Sequence, residues 1–369
     1  MYHKTVLKNG VRIISEQLDH LRSVSLGIWV NAGSRDEIRS ENGIFHFIEH
    51  MIFKGTQSRS SLQIAKELDA IGGLSNAFTG KENTCFHARV LGKHFVNLAD
   101  IFCDIFLHST FDADDMERER QVILQEISMV EDTPDDHIHL LFNHLFWIDH
   151  PICMSVLGTG KTVSAINKQT ILKYIKKFYV PERIIVSGAG NVDHQSMVSY
   201  FEPLFASLEG GNSNSRKTTP RPNAGVSVQF RNLEQVHICL GGEAPSQTSD
   251  KRFACAILNT ILGGNMSSRL FQEVRENRGL AYSIYSFLSS YFDAGLLGVY
   301  VATDPNNTNP VLDAITTEIR KIRNGELSQS DLNEAVDHLI GGIYLSSESA
   351  DNRMMRIAKN EFVFQRYVD

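Results

Sequence analysis

Short apolar runs alternate along the chain with segments of helical periodicity, and the same order of elements occurs twice. In the first half, Val11-Arg12-Ile13-Ile14 and Val24-Ser25-Leu26-Gly27-Ile28-Trp29-Val30 predict strands. Val226-Ser227-Val228 and Val236-His237-Ile238-Cys239-Leu240-Gly241 predict their counterparts in the second. A helix predicted from Asp112 to Asp132 opens on a capping residue with an acid three positions on, and one beginning near Ser328 opens the same way. Nearly the same offset separates Leu26 from Leu240 and Phe111 from Leu327, so the pattern predicts an α+β fold: two diverged copies of an antiparallel-sheet-plus-helices unit.

Between the copies, Gly211 to Gly225 lacks apolar periodicity and predicts a linker. The expected division is 1–210, a linker at 211–225, and 226–369. After its long helix the first copy continues through a helical stretch at Ile171 to Ile175 and a strand at Arg183 to Gly188. A helix then runs from Gln195 to Glu202, where Pro203 should end it. The second copy reaches Asp369 without an equivalent of these elements and is expected to be shortened at its C-terminus.

Composition narrows the picture. A chain of 369 residues exceeds the usual size of one hydrophobic core, and 42% hydrophobic with 21% charged residues is globular. A net charge of −7 argues against a nucleic-acid surface, and no uninterrupted apolar run of about eighteen residues predicts a membrane span. Met1-Tyr2-His3-Lys4-Thr5 leads directly into strand-like sequence rather than a signal peptide. Cys85, Cys103, Cys153, Cys239 and Cys255 show no Cys-x-x-Cys spacing, which fits a reducing compartment; a cytoplasmic location is expected.

The chemistry concentrates in Asn42 to Gly55, which has a capping residue at its start, a glycine after its last lysine and an almost wholly apolar middle. His46 and His50 project from one face of the predicted helix with Glu49 beside them. Burying three such groups together is costly unless something satisfies them, and a divalent metal would. Imidazole suits zinc, and a catalytic zinc site takes a third protein ligand while leaving room for water. The helix from Asp112 to Asp132 carries Glu119 and Glu126 on nearly one face, and Glu126 lies within Val122-Ile123-Leu124-Gln125-Glu126-Ile127, where an unpaired buried carboxylate would be destabilising.

The order His-x-x-Glu-His inverts that of the commoner zincins. With Glu126 downstream, Gly43 to Thr56 resembles the pitrilysin and insulinase family of zinc peptidases, particularly its mitochondrial-processing-peptidase-like branch. Gly72-Gly73-Leu74-Ser75-Asn76-Ala77-Phe78-Thr79 is similar to the family's substrate-pairing edge strand, and Arg118 to Leu124 to the segment before its third ligand. Gly263-Gly264-Asn265 resembles its glycine-rich loop, with Asn265 where a third glycine is common. Arg275 and Tyr282 match the arginine and tyrosine that the family's second half contributes to the metal site.

The resemblance implies one zinc per chain on His46, His50 and Glu126, Glu49 as general base, and Tyr282 with Arg275 at the developing oxyanion. It casts Glu119 as a group that orients a ligand or the helix, and Asn76, Ala77 and Phe78 as the substrate-pairing positions. The expected function is a zinc endopeptidase acting on extended, unstructured or presequence-like peptides, with no nucleic-acid or membrane partner and a homodimer left open. The alternatives are a catalytically silent scaffold or peptide-binding subunit of the same family, and a zinc hydrolase with a non-peptide substrate. His137, His139 and His144 are expected on a helix surface rather than on a metal, Cys239 and Cys255 in the core, and Gly263-Gly264 in a turn rather than a phosphate loop.

Overall fold

A computed structural model describes residues 1–211 and 218–368. In chain order come strands β1 (Tyr2–Val6), β2 (Arg12–Gln17) and β3 (Ser23–Val30), helices α1 (Ile44–Ile52) and α2 (Ser61–Ala70), and strands β4 (Leu74–Thr79) and β5 (Thr84–Leu91). Helices α3 (Phe95–His108), α4 (Ala113–Asp132), α5 (Pro134–Phe146), α6 (Gly160–Ala165) and α7 (Lys168–Phe178) follow, then strand β6 (Ile184–Gly190) and helix α8 (His194–Phe205). The remainder holds β7 (Val236–Glu243), α9 (Arg252–Gly263), β8 (Ala281–Ser290), β9 (Gly295–Thr303), α10 (Thr308–Arg323), α11 (Gln329–Ser347) and α12 (Ala350–Phe364). The linker expected at 211–225 falls partly on 212–217, which lie outside the described residues.

Two compact units emerge, and neither is continuous in sequence. One comprises Met1–Met129, Met154–Lys217 and Ser346–Asp369; the other comprises Val130–Cys153 and Thr218–Leu345. The first unit is built on a sheet of order β1-β2-β6-β3-β5-β4 in which only β2 and β6 run parallel. Alternate residues of its strands serve two different cores. Ile13, Ile28 and Val186 face the helices α1, α3 and α8, whereas Ile14, Trp29 and Ile185 face Met354, Ile357 and Ala358 of α12. Covering both faces explains why β3 and β6 are apolar almost throughout rather than alternating. Trp29 still satisfies its indole N–H, which donates to Ser187 Oγ at 2.8 Å.

Charged pairs hold α12 in place. Lys4 meets Glu361 at 2.7 Å, Arg353 meets Glu16 at 2.5 Å, and Ser25 donates to Asp351 at 2.6 Å.

In the second unit the sheet has the order β7-β9-β8, all antiparallel, which repeats the order and sense of β3-β5-β4. Val299 and Val301 face a core with Leu262 of α9 and Ile315 of α10, while Tyr300 between them points to α5, where it stacks on His139. A close approach fixes the end of α9: a Cβ at Gly263 would lie 2.5 Å from the backbone nitrogen of Ser286 in β8.

Two expectations from the sequence require correction. No strand forms at Val226-Ser227-Val228, where Val226 is 90% exposed. Its two-residue alternation makes the segment competent to pair, but among the described residues no strand lies beside it, whereas β2 is held between β1 and β6. Nor does Pro203 end its helix: α8 runs on to Phe205, and Ala206 N–H closes the last turn on Glu202 O at 2.9 Å. The fully buried rings of Phe201 and Phe205 hold that turn to the core despite the missing donor. Among the described residues no helix is long and apolar enough to cross a membrane.

Candidate metal centre

Helix α1 has the sequence Ile-Phe-His-Phe-Ile-Glu-His-Met-Ile, and every residue except His46, Glu49 and His50 is apolar and buried. Burial of Phe45, Phe47, Ile48, Met51 and Ile52 therefore fixes which side the three polar groups occupy. The sequence reading gives the cap to Asn42, but the structure gives it to Glu37. Glu37 accepts from the backbone N–H of Gly43 at 2.8 Å and of Phe45 at 3.0 Å, and Asn42 Nδ2 donates to the same carboxylate at 2.7 Å. Gly43 itself has φ +94°, and a Cβ there would meet Leu157 O at 2.7 Å, so only glycine fits this start. Burial pushes the Glu37 carboxyl up to about 7 against the pull of these donors.

Opposite the histidines runs α4, which turns Met116, Glu119, Ile123 and Ile127 inward. Asp112 caps it, accepting from Asp114 N–H at 2.9 Å. Glu126 stands at the flank of this face with its side chain 34% exposed, so it is half-buried rather than enclosed as its apolar neighbours suggest. Its Oε2 lies 3.6 Å from Nε2 of His46 and 3.6 Å from Nε2 of His50. Among the described residues these three are the one set of three whose ligand atoms all lie within 4.8 Å of one another. Ligand atoms about 2 Å from a tetrahedral zinc ion are roughly 3.3 Å apart, so the trio is spaced to hold one with little movement.

Protonation supports the same use. Glu119 Oε2 lies 3.0 Å from His50 Nδ1, a contact that orients the ring with Nε2 toward Glu126. Lys54 Nζ holds the other oxygen of Glu119 at 2.6 Å. Burial, then the neighbouring His50, lowers His46 to about 4, so its imidazole is neutral and able to donate to a metal. The Nδ1 of His46 is buried without a hydrogen-bond partner.

Glu49 lies on the same face of α1, where burial raises its carboxyl above the usual range and a hydrogen bond from Thr79 opposes the shift. Thr79 Oγ1 donates to Glu49 Oε2 at 2.6 Å. Thr79 ends β4, which carries Asn76, Ala77 and Phe78 and among the described residues pairs only with β5, at the end of its sheet. Asn76 is exposed, and its Oδ1 accepts from Ala77 N–H at 2.8 Å.

Arg275 and Tyr282 sit together in the second unit. Arg275 Nη1 donates to Tyr282 O at 3.0 Å and its guanidinium lies 4.2 Å from the centre of the Tyr282 ring, which is 77% exposed. The β8–β9 register slips between Ala281 and Ser283, so Tyr282 is the bulged residue.

The sequence reading missed Glu37, Lys54 and Thr79. Lys54 and Thr79 fall inside the two motifs quoted for other residues, while no local pattern marks Glu37. The other histidines also differ from a plain helix surface. His137 meets Gln229 Oε1 at 2.9 Å and His139 meets Tyr285 Oη at 3.0 Å, whereas His144 is exposed. All five cysteines are free; Cys255 is buried but Cys239 is only half-buried, its Sγ 3.9 Å from His139 Nδ1.

Two imidazoles and a carboxylate converging from two helices, with a further carboxylate beside them, define a zinc protease, its metal carried by His46, His50 and Glu126. Residues 12–160 match the family described as Insulinase (Peptidase family M16), and residues 165–339 match the Peptidase M16 inactive domain. An uncharacterized zinc protease of Bacillus subtilis, YmxG, is 37% identical over 367 residues, covering 100% of this chain and 90% of that protein. Another, SCO5738 of Streptomyces coelicolor, is 41% identical over 97% of this chain and 80% of its own length. The chain belongs to the M16 (insulinase/pitrilysin) family of zinc proteases. Its fold matches a solved protease from Helicobacter pylori with a TM-score of 0.91 at 21% identity, over 98% of this chain and 89% of that one.

Proposed function

We propose that the protein is an endopeptidase of the mitochondrial-processing-peptidase-like branch, hydrolysing extended, unstructured or presequence-like peptides. The observation that carries this reading is that Glu49 shares a helix face with two of the ligands and accepts a hydrogen bond from the last residue of an edge strand. When bound, zinc supplies a Lewis acid that acidifies water and polarises a scissile carbonyl. Glu49 takes the proton of the attacking water and returns it to the leaving amine. Glu119 fixes the His50 ring through Nδ1. An extended substrate adds to the open edge of β4 along Asn76, Ala77 and Phe78, so backbone pairing supplies affinity whatever the peptide sequence. Tyr282, with Arg275 stacked on its ring, is assigned to the developing oxyanion on the match of these residues to the family's pattern.

The test uses two variants and a fluorogenic peptide. Glu49→Gln should keep one zinc per chain and lose at least about 100-fold in kcat, while His50→Ala should lose the metal itself. Undiminished turnover by Glu49→Gln rejects this assignment of the base. A zinc-loaded wild-type protein that binds peptides without cleaving them would point instead to the silent peptide-binding reading.

A further inference from the structure

The carboxylate of Glu49 ends a flexible side chain on a helix whose buried residues fix the backbone but not that side chain's rotamer. What meets it is Thr79. The hydroxyl donates at 2.6 Å, and its next acceptor, Phe45 O, is at 3.4 Å. At 2.6 Å this hydrogen bond is short and directional, so the Thr79 hydroxyl selects one orientation of the Glu49 side chain.

Thr79 is itself placed by β4. It is the last residue of the strand, paired with Thr84, and the turn beyond is closed by Gly80 N–H on Asn83 O at 2.8 Å. Ala77 lies two residues before it, on the same side of the strand, and is flanked by Asn76 and Phe78. The other edge of β4 carries no strand among the described residues, so an added peptide strand would pair there and hold the position of β4.

We infer that Thr79 is a positioning residue that ties the orientation of the Glu49 carboxylate to the edge strand on which the substrate pairs. The inference rests on the assignment of Glu49 as base and of β4 as the pairing strand. Substrate bound along β4 then steadies the base that acts on it, and a peptide too short to pair would be cleaved more slowly even when its scissile bond reaches the site.

The test is steady-state kinetics with zinc content measured on every sample. Thr79→Val keeps the shape but removes the hydroxyl. It should lower kcat about 10- to 100-fold, leave KM within about twofold and retain one zinc per chain, while Thr79→Ser recovers most of the lost rate. Wild-type kcat in Thr79→Val overturns the inference, and so does an equal loss in Thr79→Ser, which still carries the donor. Should Thr79→Val fail to fold, folded Thr79→Ala against Thr79→Ser decides on the same criterion. Glu49→Gln separates the two levels: if it stays active, the underlying assignment of the base fails; if it is inactive while Thr79→Val is not, only the positioning role fails.

Discussion

His50 is held at Nδ1 by Glu119, while its Nε2 faces Glu126 at 3.6 Å, so carboxylates seven residues apart on one helix stand on opposite sides of one imidazole. Glu37 shows the same economy at the helix start, where a single carboxylate satisfies two backbone donors and the Asn42 amide. Its folded pKa of about 7 lies above that of an unfolded glutamate, so the folded protein retains a proton that the unfolded chain has released. That contribution to stability is complete below the unfolded value, about 4.5, and is lost as pH rises through about 7. Glu37→Gln cannot ionise. Denaturant unfolding of both proteins between about pH 4.5 and 7.5 should show wild type losing stability relative to Glu37→Gln as pH rises. Parallel pH profiles would contradict the assignment.

At the scale of elements, α12 carries the largest structural consequence. Met354, Ile357 and Ala358 are fully buried against Trp29, Ile14 and Ile185, and Ile357→Ala should cost about 2–4 kcal/mol in unfolding free energy, read from denaturant titration. Much at this scale is legible in the sequence, because β2, β3, β7, α4 and α11 declare themselves by period and by caps at Asp112 and Ser328. The metal face of α1 is legible for the same reason: two histidines and a glutamate interrupt an otherwise apolar helix. Where reading fails, the missing information is long-range. The alternation at Val226 and Val228 reports competence to pair but not whether a strand stands alongside. Periodicity in α12 shows that one face is buried but not against which sheet, and Glu37, Lys54 and Thr79 acquire their partners only through tertiary structure.

Across the whole molecule, each compact unit draws on more than one stretch of the chain. The unit that carries His46, His50 and Glu126 includes Ser346–Asp369, whereas Val130–Cys153 belongs to the other. A fragment of residues 1–210 expressed alone should therefore expose the sheet face of Ile14, Trp29, Cys85 and Ile185. It should bind a hydrophobic dye and melt well below the intact chain, and fusing residues 346–369 to it should reverse both effects. A fragment as stable as the intact chain would refute this. The same feature orders events during synthesis. Because the last helix closes the sheet that backs the metal site, a ribosome must pass residue 346 before the zinc-carrying unit can be completed. The metal-carrying unit therefore closes on its last helix only after the whole of the other unit has been made.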